Sequence, residues 1–101
     1  MKKITLSLFL ILLCSVVFAD DKMALGLDVY NNKAQCGVCH TLQAAGSSGD
    51  IGPNLDQLKP SIGRIIYVVT NGIGVMQAWG GIITYEEIEA VAYYVFNSTN
   101  K

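Results

Sequence analysis

The sequence has little of what most metal, redox and nucleic-acid sites are built from: one histidine, three cysteines and seven basic residues among 101. A single histidine excludes coordination of a metal by two imidazoles of one chain. Seven basic residues against eight acidic ones, with no basic stripe, argue against a nucleic-acid partner. The chain also lacks internal repeats and low-complexity tracts. These shortages make the few chemically capable residues informative.

The first nineteen residues have the design of a secretory signal. A basic start precedes an apolar stretch, 4–18, and the small residue Ala19 suits a peptidase that would cut before Asp20. The sequence therefore predicts a signal peptide over 1–19 and one exported domain over 20–101, in the periplasm. A permanent membrane anchor is the alternative, but the apolar stretch is short for a span of about 20 residues, so no span is expected after cleavage.

Cleavage would leave 82 residues with five basic and eight acidic side chains, a net charge of −3 with histidine neutral. Cys14 would leave with the signal, so Cys36 and Cys39 are the cysteines of the mature chain. The compartment outside the inner membrane is oxidising, yet a disulfide between these two would close a very small loop. Because so small a domain buries a modest share of its surface, we expect a large bound cofactor to help stabilise it.

Three periodic stretches predict helices. The first has one apolar face, and Asn31 and Asn32 are expected to end it. The second, 61–72, is β-branched enough to suit a strand, but no convincing partner strand exists and a helix that stops at Asn71 and Gly72 is favoured. The third opens with Thr84 and Glu87 at the spacing of a capping box. The predicted apolar faces consist of Met23, Gly26, Leu27 and Tyr30; of Ile62, Ile65, Ile66 and Val69; and of Ile88, Val91, Ala92 and Val95.

Between the first two helices, 41–60 has the glycine and proline signals of a loop. Just before this loop stands the segment Cys-Gly-Val-Cys-His, from Cys36 to His40. A zinc site normally needs four ligands, and the mature chain offers no other cysteine or histidine. A thioredoxin-like disulfide would require a βαβ setting, whereas a short amphipathic helix precedes this motif.

The same motif is the signature of c-type haem attachment. Both thiols add to the two vinyl groups on one edge of the porphyrin, and two intervening residues let the sulfurs span that edge. The next residue, His40, then places its imidazole under the iron. The sequence predicts one haem c, attached through Cys36 and Cys39 with His40 as the proximal ligand.

A second axial ligand must come from elsewhere, and the chain has three methionines. Met1 would leave with the signal, and Met23 lies on the apolar face of the first helix, where core packing is expected. Met76 lies in a glycine-rich loop between two predicted helices, where an apolar side chain needs something to hold it. The prediction is therefore that His40 and Met76 bind the metal.

At this point the chain resembles the class I bacterial c-type cytochromes, which are small and carry one haem. The resemblance rests on "GLDVY", "CGVCHT", "GPNL", "TNGIGVM" and "TYEEIEAVAYYV", and it covers nearly the whole mature chain. The run from the haem motif to Met76 is also similar to the small cytochromes that accept electrons from periplasmic sulfite dehydrogenases.

This resemblance implies an all-α fold of three to four short helices around one covalently bound haem, with the first and last helices crossing at Gly26 and Tyr30. It also implies two further haem-binding residues. Pro53 matches the proline whose carbonyl accepts a hydrogen bond from the proximal imidazole, and Trp79 matches an aromatic position near the haem and its propionates. One residue departs from the pattern: Gln77 stands where many relatives have proline after the ligand methionine, so the loop loses a φ restraint.

The predicted function is one-electron transfer by a monomeric periplasmic carrier that is not itself an enzyme. Its partners would be redox proteins, with a dehydrogenase as donor and an oxidase or another cytochrome as acceptor. Two alternatives stay open. The chain could be the electron-accepting subunit of a fixed dehydrogenase complex of the sulfite dehydrogenase kind, or a haem sensor or peroxidase in which Met76 is labile.

Overall fold

The structure, a computed structural model, describes residues 19–101, so the expected signal peptide lies outside the described residues except for Ala19. The helices are α1 over 19–28, which continues as the π-helical turn Val29–Lys33, then α2 Leu55–Leu58, α3 Ile62–Asn71 and α4 Tyr85–Thr99. Two single-turn 3₁₀ segments, Cys36–Val38 and Gln43–Ala45, lie between α1 and α2. This architecture confirms the expected all-α fold with four helices.

The first and last helices cross at a glycine, as expected. A Cβ placed on Gly26 would lie 2.3 Å from the carbonyl oxygen of Ala90 and 2.5 Å from Cβ of Tyr94. Only a residue without a side chain lets the two helix backbones approach so closely. Beside this contact the rings of Tyr30 and Tyr94 pack with their centroids 6.1 Å apart and tilted by 55°, an arrangement that aromatic pairs favour.

The predicted face and end of α1 were partly wrong. Leu27 is 37% exposed, whereas Val29 is completely buried. The helix also continues past Asn31 and Asn32, because the π-helical turn is closed by a hydrogen bond of 2.8 Å from the amide of Ala34 to the carbonyl of Val29. The contact with α4 at Gly26 decides which face of α1 is buried. The π turn has a wider hydrogen-bonding pattern and ends the helix at Lys33 instead of at the asparagines.

The β-branched segment forms α3, so the prediction of a helix there is confirmed. Ser61 caps it, because its hydroxyl accepts a hydrogen bond of 3.1 Å from the amide of Arg64. Ile65 and Val69 are buried on one face, as the helical spacing predicted. Burial of this face and the N-cap outweigh the strand preference of the individual residues.

The predicted capping box of α4 is also confirmed. The hydroxyl of Thr84 accepts from the amide of Glu87 at 3.1 Å, and the Glu87 carboxylate accepts from the amide of Thr84 at 2.9 Å. The Glu87 carboxylate also pairs with Lys33, which ties the start of α4 to the end of the π turn. The four residues of the predicted apolar face are all buried: Ile88, Val91, Ala92 and Val95.

The segment 41–60 is more ordered than the predicted loop. Two-residue strands, β1 Thr41–Leu42 and β2 Ser47–Ser48, pair antiparallel with Leu42 opposite Ser47. Helix α2 follows, capped by the side chain of Asn54, which accepts from the amide of Gln57 at 3.3 Å. Elements this short give no periodicity in a sequence, since periodicity needs at least two turns of helix or several strand residues.

The core is formed where α3, α4 and the end of α1 meet. Its largest completely buried side chains are Tyr30, Leu42, Val29 and Val91. Met23 is partly buried against this core, as predicted. Over residues 19–101 the longest apolar helix falls short of what a membrane crossing requires.

Candidate functional site

The Cys-Gly-Val-Cys-His segment forms a tight turn directly after α1. Gln35 enters it in the left-handed conformation, with φ of 50°. The amides of Cys39 and His40 both donate to the carbonyl of Cys36, at 3.1 and 3.0 Å. The two thiols are free and not joined in a disulfide. This turn therefore presents two thiols and an imidazole close together.

The turn forms one wall of a cavity of about 660 Å³, a volume typical of sites for small molecules and cofactors. Every site residue predicted from the sequence lines it: Cys36, Cys39, His40, Pro53, Met76 and Trp79. Most of the other lining side chains are apolar, and seven of these apolar residues come from α2, α3 and α4. The fold thus brings together residues that lie up to 43 positions apart in the chain.

The His40 ring is held by its surroundings. Its Nδ1 lies 2.8 Å from the carbonyl oxygen of Pro53. Because a carbonyl can only accept, Nδ1 carries the proton and donates, which leaves Nε2 with a free lone pair for a metal. Gly52, which precedes Pro53, has no room for a side chain, since a Cβ there would lie 2.6 Å from Cε1 of the His40 ring. Glycine and the proline carbonyl together form a fitted cradle for the imidazole.

Met76 stands in a loop that returns to the end of α3. A tight turn joins Ile73 and Met76 through two backbone hydrogen bonds of 2.9 and 3.2 Å. Beyond it, the amide of Trp79 donates to the carbonyl of Val69 at 2.8 Å. Gly72, with φ of 74°, starts the loop, and a Cβ there would lie 2.7 Å from the Met76 carbonyl. The backbone of the loop is thus anchored at both ends.

Sequence reasoning missed one charged residue of the site. Arg64, in the first turn of α3, lines the same cavity and adds a guanidinium to its walls. Lys33 also lines the cavity, but its ammonium is paired with Glu87. Arg64 could have been predicted to line the cavity only by knowing which face of α3 is turned toward it. Its position one residue before the buried Ile65 does not give that information.

Burial affects the titration of two groups at the cavity. Desolvation raises the pKa of the Cys36 thiol to about 11. This applies to the thiol before haem attachment, since a cysteine joined to the haem through its sulfur has no thiol to titrate. Burial likewise raises the pKa of Tyr30 to about 12, so its hydroxyl remains a hydrogen-bond donor.

The donor set fits a covalently attached haem. Two free thiols, an imidazole with Nε2 available and a thioether surround an apolar cavity, and histidine with methionine is a known axial pair for haem iron. No cluster of three histidine, cysteine, aspartate or glutamate side chains suited to a metal ion occurs in the described part of the chain.

The comparisons with known proteins agree with this site. The sequence model of the family described as "Cytochrome C oxidase, cbb3-type, subunit III" matches residues 21–95. The chain belongs to the cytochrome c family, and its fold and single attachment motif make it a class I cytochrome with one haem. Its cofactor is accordingly haem c, bound covalently through Cys36 and Cys39, and its role is to carry electrons.

Among individual proteins, the chain is similar in structure to the c-type cytochrome SorU from Sinorhizobium meliloti, with a TM-score of 0.76 and 49% identity. That match covers 81% of this chain and 95% of SorU. Cytochrome c6 of Tetradesmus obliquus is 32% identical over 77% of this chain and 92% of the relative. Chloroplastic cytochrome c6 of Chlamydomonas reinhardtii is 36% identical over 73% of this chain, which spans 53% of that longer protein.

Proposed function

We propose that this cytochrome is a periplasmic one-electron carrier whose haem iron is bound by His40 and Met76. One observation carries the proposal: the imidazole and the thioether line the same cavity, and Pro53 occupies Nδ1 of the ring so that Nε2 is free. When bound, the haem supplies a couple that takes up and releases one electron. The chain supplies the ligands, the attachment points and an apolar surround.

Each residue has a separate task in this proposal. Cys36 and Cys39 hold the cofactor by one edge, while the Pro53 carbonyl orients the His40 ring and makes it a stronger donor to the metal. Arg64 lines the cavity, and its positive charge would offset the negative charge of the haem propionates. Trp79 is partly buried against the core and shields the cavity from water.

Ligation by histidine and methionine in an apolar pocket favours the reduced state and raises the reduction potential. Both ligands are neutral, so the surroundings do little to stabilise the extra charge of the ferric form. With His40 and Met76 both bound to the iron, no position would be left for a substrate. This supports a carrier that has no enzymatic activity of its own.

The role of Met76 is tested by exchanging one methionine at a time. Met76→Ala is expected to open the axial position, remove the sulfur-to-iron absorption band of the ferric protein and lower the reduction potential. Met23→Ala, which removes a methionine packed against the core, serves as the matched control and is expected to keep both properties. Equal changes of the absorption band and the potential in the two variants would show that Met76 is not the ligand.

The same experiment addresses the sensor or peroxidase alternative. If Met76 were labile in the native protein, the wild type would already lack the sulfur-to-iron band and would bind carbon monoxide readily when reduced. A carrier with a firmly bound Met76 is expected to resist carbon monoxide until the Met76→Ala change is made.

Export to the periplasm is supported by the basic and apolar pattern of 1–19 and by the family match, which begins at residue 21, next to the expected cleavage site. The mature domain would then be 20–101. Intact-mass measurement of the exported protein is expected to give the 82-residue chain plus one haem. A mass that includes the first nineteen residues would contradict cleavage.

A fixed dehydrogenase complex, of the sulfite dehydrogenase kind, is the second candidate. Apolar side chains that line the cavity reach the surface beside both predicted ligands: Val38 is 65% exposed and Val75 is 92% exposed. Such side chains suit contact with a partner protein. Size-exclusion chromatography with a candidate dehydrogenase separates the two: a carrier elutes at its own mass, whereas a subunit co-elutes with the enzyme.

A further inference from the structure

The backbone of His40 is held at a point distant from its ring. The hydroxyl oxygen of Ser47, on β2, lies 3.0 Å from the His40 carbonyl oxygen. The same hydroxyl lies 2.9 Å from the Tyr30 hydroxyl and 3.1 Å from the amide nitrogen of Leu42. One small side chain therefore meets three polar groups from three different segments of the chain.

The chemistry of these groups decides which of them donates. A serine hydroxyl has one hydrogen to donate and two lone pairs that accept. The His40 carbonyl can only accept, so the Ser47 hydrogen goes to it. The Leu42 amide can only donate, so it takes one lone pair. The Tyr30 hydroxyl lies 3.4 Å from the His40 carbonyl but only 2.9 Å from Ser47, so it donates to the other lone pair. The hydrogen-bonding capacity of Ser47 is then completely used, and each bond supports the others.

The position of Ser47 is itself constrained. Tyr30 is completely buried between α1 and α4, so its hydroxyl is a fixed point. The pairing of Leu42 with Ser47 sets the register of the hairpin. The hairpin also packs onto the cysteine turn, because a Cβ on Gly37 would lie 2.6 Å from Cβ of Ser47. Ser47 is thus fitted between the core and the haem-attachment turn.

We propose that Ser47, seated by the Tyr30 hydroxyl, is a positioning residue for the axial imidazole. Ser47 holds the peptide of His40 while Pro53 holds the ring, and these two points together fix the plane of the imidazole relative to the haem. The inference rests on the proposed function, in which His40 binds the iron.

Ser47→Ala removes the nearer donor to the His40 carbonyl, leaving the Tyr30 hydroxyl at 3.4 Å, and keeps the ring contact with Pro53 in place. The ring is then expected to turn. The proton resonances of the haem methyl groups in the ferric protein report the orientation of the axial ring, so their spread is expected to change. The reduction potential is expected to shift as well, since groups that orient a metal ligand also tune the metal. Neither readout depends on turnover with a partner.

Two variants serve as matched controls. Ser48→Ala removes an exposed hydroxyl from the next position of the same strand. Thr41→Val removes the hydroxyl that donates to the Gly49 carbonyl at 3.0 Å and so loosens the hairpin without removing the Ser47 bond. Both are expected to keep the wild-type methyl spread and potential, even where Thr41→Val lowers the melting temperature.

Tyr30→Phe is the second test and does not depend on whether Ser47→Ala acquires haem. It keeps the bond from Ser47 to His40 but removes the group that seats Ser47, together with that group's own longer contact of 3.4 Å with the His40 carbonyl. The methyl spread is expected to move in the same direction as in Ser47→Ala and by a smaller amount. The inference is overturned if Tyr30→Phe has the wild-type spread and potential, if Ser47→Ala does, or if Thr41→Val changes them as much as Ser47→Ala.

Failure of the proposed function would look different. Because His40 is the single histidine of the chain, the reduced wild-type protein should show one set of imidazole ring protons shifted far upfield by the haem. Absence of these signals in the wild type would show that His40 is not an axial ligand, whatever Ser47→Ala does. Their presence with an unchanged Ser47→Ala would overturn the role of Ser47 alone.

Discussion

The two sides of the cavity are built in different ways. On the His40 side, the ring bonds to the Pro53 carbonyl and the backbone carbonyl accepts from Ser47. On the Met76 side, the hydrogen bonds of the loop join backbone groups, within the turn and to the end of α3. Of the two proposed ligands, His40 is thus held by its own side chain and peptide, whereas Met76 is held through the loop that carries it.

This difference indicates which ligand can give way. Val75 is 92% exposed beside Met76, and Gln77 follows where a proline would have restrained φ. Segments with little buried surface open at low free-energy cost. Ligand exchange, and any change of potential that accompanies it, is therefore expected at the Met76 side while the His40 side stays in place.

Removal of the haem is the most severe test, because it asks whether the hydrogen bonds of the His40 side persist without the cofactor. The double variant Cys36→Ser and Cys39→Ser, prepared without haem, is expected to lose most of its helical circular dichroism. A domain of this size has a small core, and a group that binds only the folded state contributes much of its stability. A cooperative melting transition of a helical apo chain would contradict this.

Gly52→Ala tests the fitted cradle of the His40 ring. The added Cβ would lie 2.6 Å from Cε1 of His40, and overpacking of this kind costs about 1–3 kcal/mol. Gly63→Ala is the matched control: nothing lies within 4 Å of its Cβ position in α3, and glycine to alanine in a helix stabilises by about 0.5–1 kcal/mol. Chemical denaturation of both holoproteins measures the difference. A Gly52→Ala protein as stable as Gly63→Ala would show that the cradle yields easily.

Gln77→Pro should hold the Met76 loop more firmly and so reduce the difference from the His40 side. Proline restricts the open state of the loop and typically stabilises by about 0.4–1 kcal/mol where its φ is compatible. That range corresponds to about a twofold to fivefold weaker binding of added imidazole, which competes with Met76 for the ferric iron. Spectral titration measures it, with Ala78→Pro as a control one position further from the ligand. Tighter imidazole binding in Gln77→Pro would mean that proline does not fit the loop.

The ion pair between Lys33 and Glu87 is expected to give the smallest effect. The hydrogen bond from Lys33 lowers the pKa of Glu87. A carboxylate with a lowered pKa stabilises the folded state above its ordinary titration range, and that contribution is lost as the pH falls through the lowered value. The Lys33 side chain is 45% exposed and that of Glu87 is 13% exposed, so solvent and salt still screen the pair and its effect is slight.

Melting temperatures between neutral and acid pH measure this contribution. Lys33→Met is expected to flatten the acid decline slightly, whereas Glu86→Gln, in the same first turn of α4, should change it less. An identical acid decline in the wild type and Lys33→Met would show that the pair contributes nothing measurable.

Much of the fold and of the candidate site could be predicted from local sequence. The attachment motif is contiguous, so its chemistry needs no tertiary information. Thr84 and Glu87 form a capping box because both bonds lie within one turn of helix. Met76 was predicted as a ligand because an apolar residue in a glycine-rich loop needs a partner, and the structure places it on the same cavity as His40.

Other features depend on contacts between distant residues and left no local pattern. The burial of Val29 instead of Leu27 follows from the place where α1 meets α4. Arg64 lines the cavity because of the way α3 is rotated about its axis in the folded protein. Ser47 stood within a flexible-looking stretch, and its contacts with His40 and Tyr30 exist because a two-residue hairpin folds back on the cysteine turn.

The sequence by itself determined the cofactor chemistry, the order of the three longer helices and the family, because these depend on residue types at short spacing. The tertiary structure alone decided how each proposed ligand is held: the ring of His40 by a carbonyl 13 positions away, its peptide by a hydroxyl seven positions away, and Met76 by a loop anchored to α3. Donors and acceptors far apart in the chain meet only when the backbone is folded, so their pairing has no sequence period from which it could be inferred.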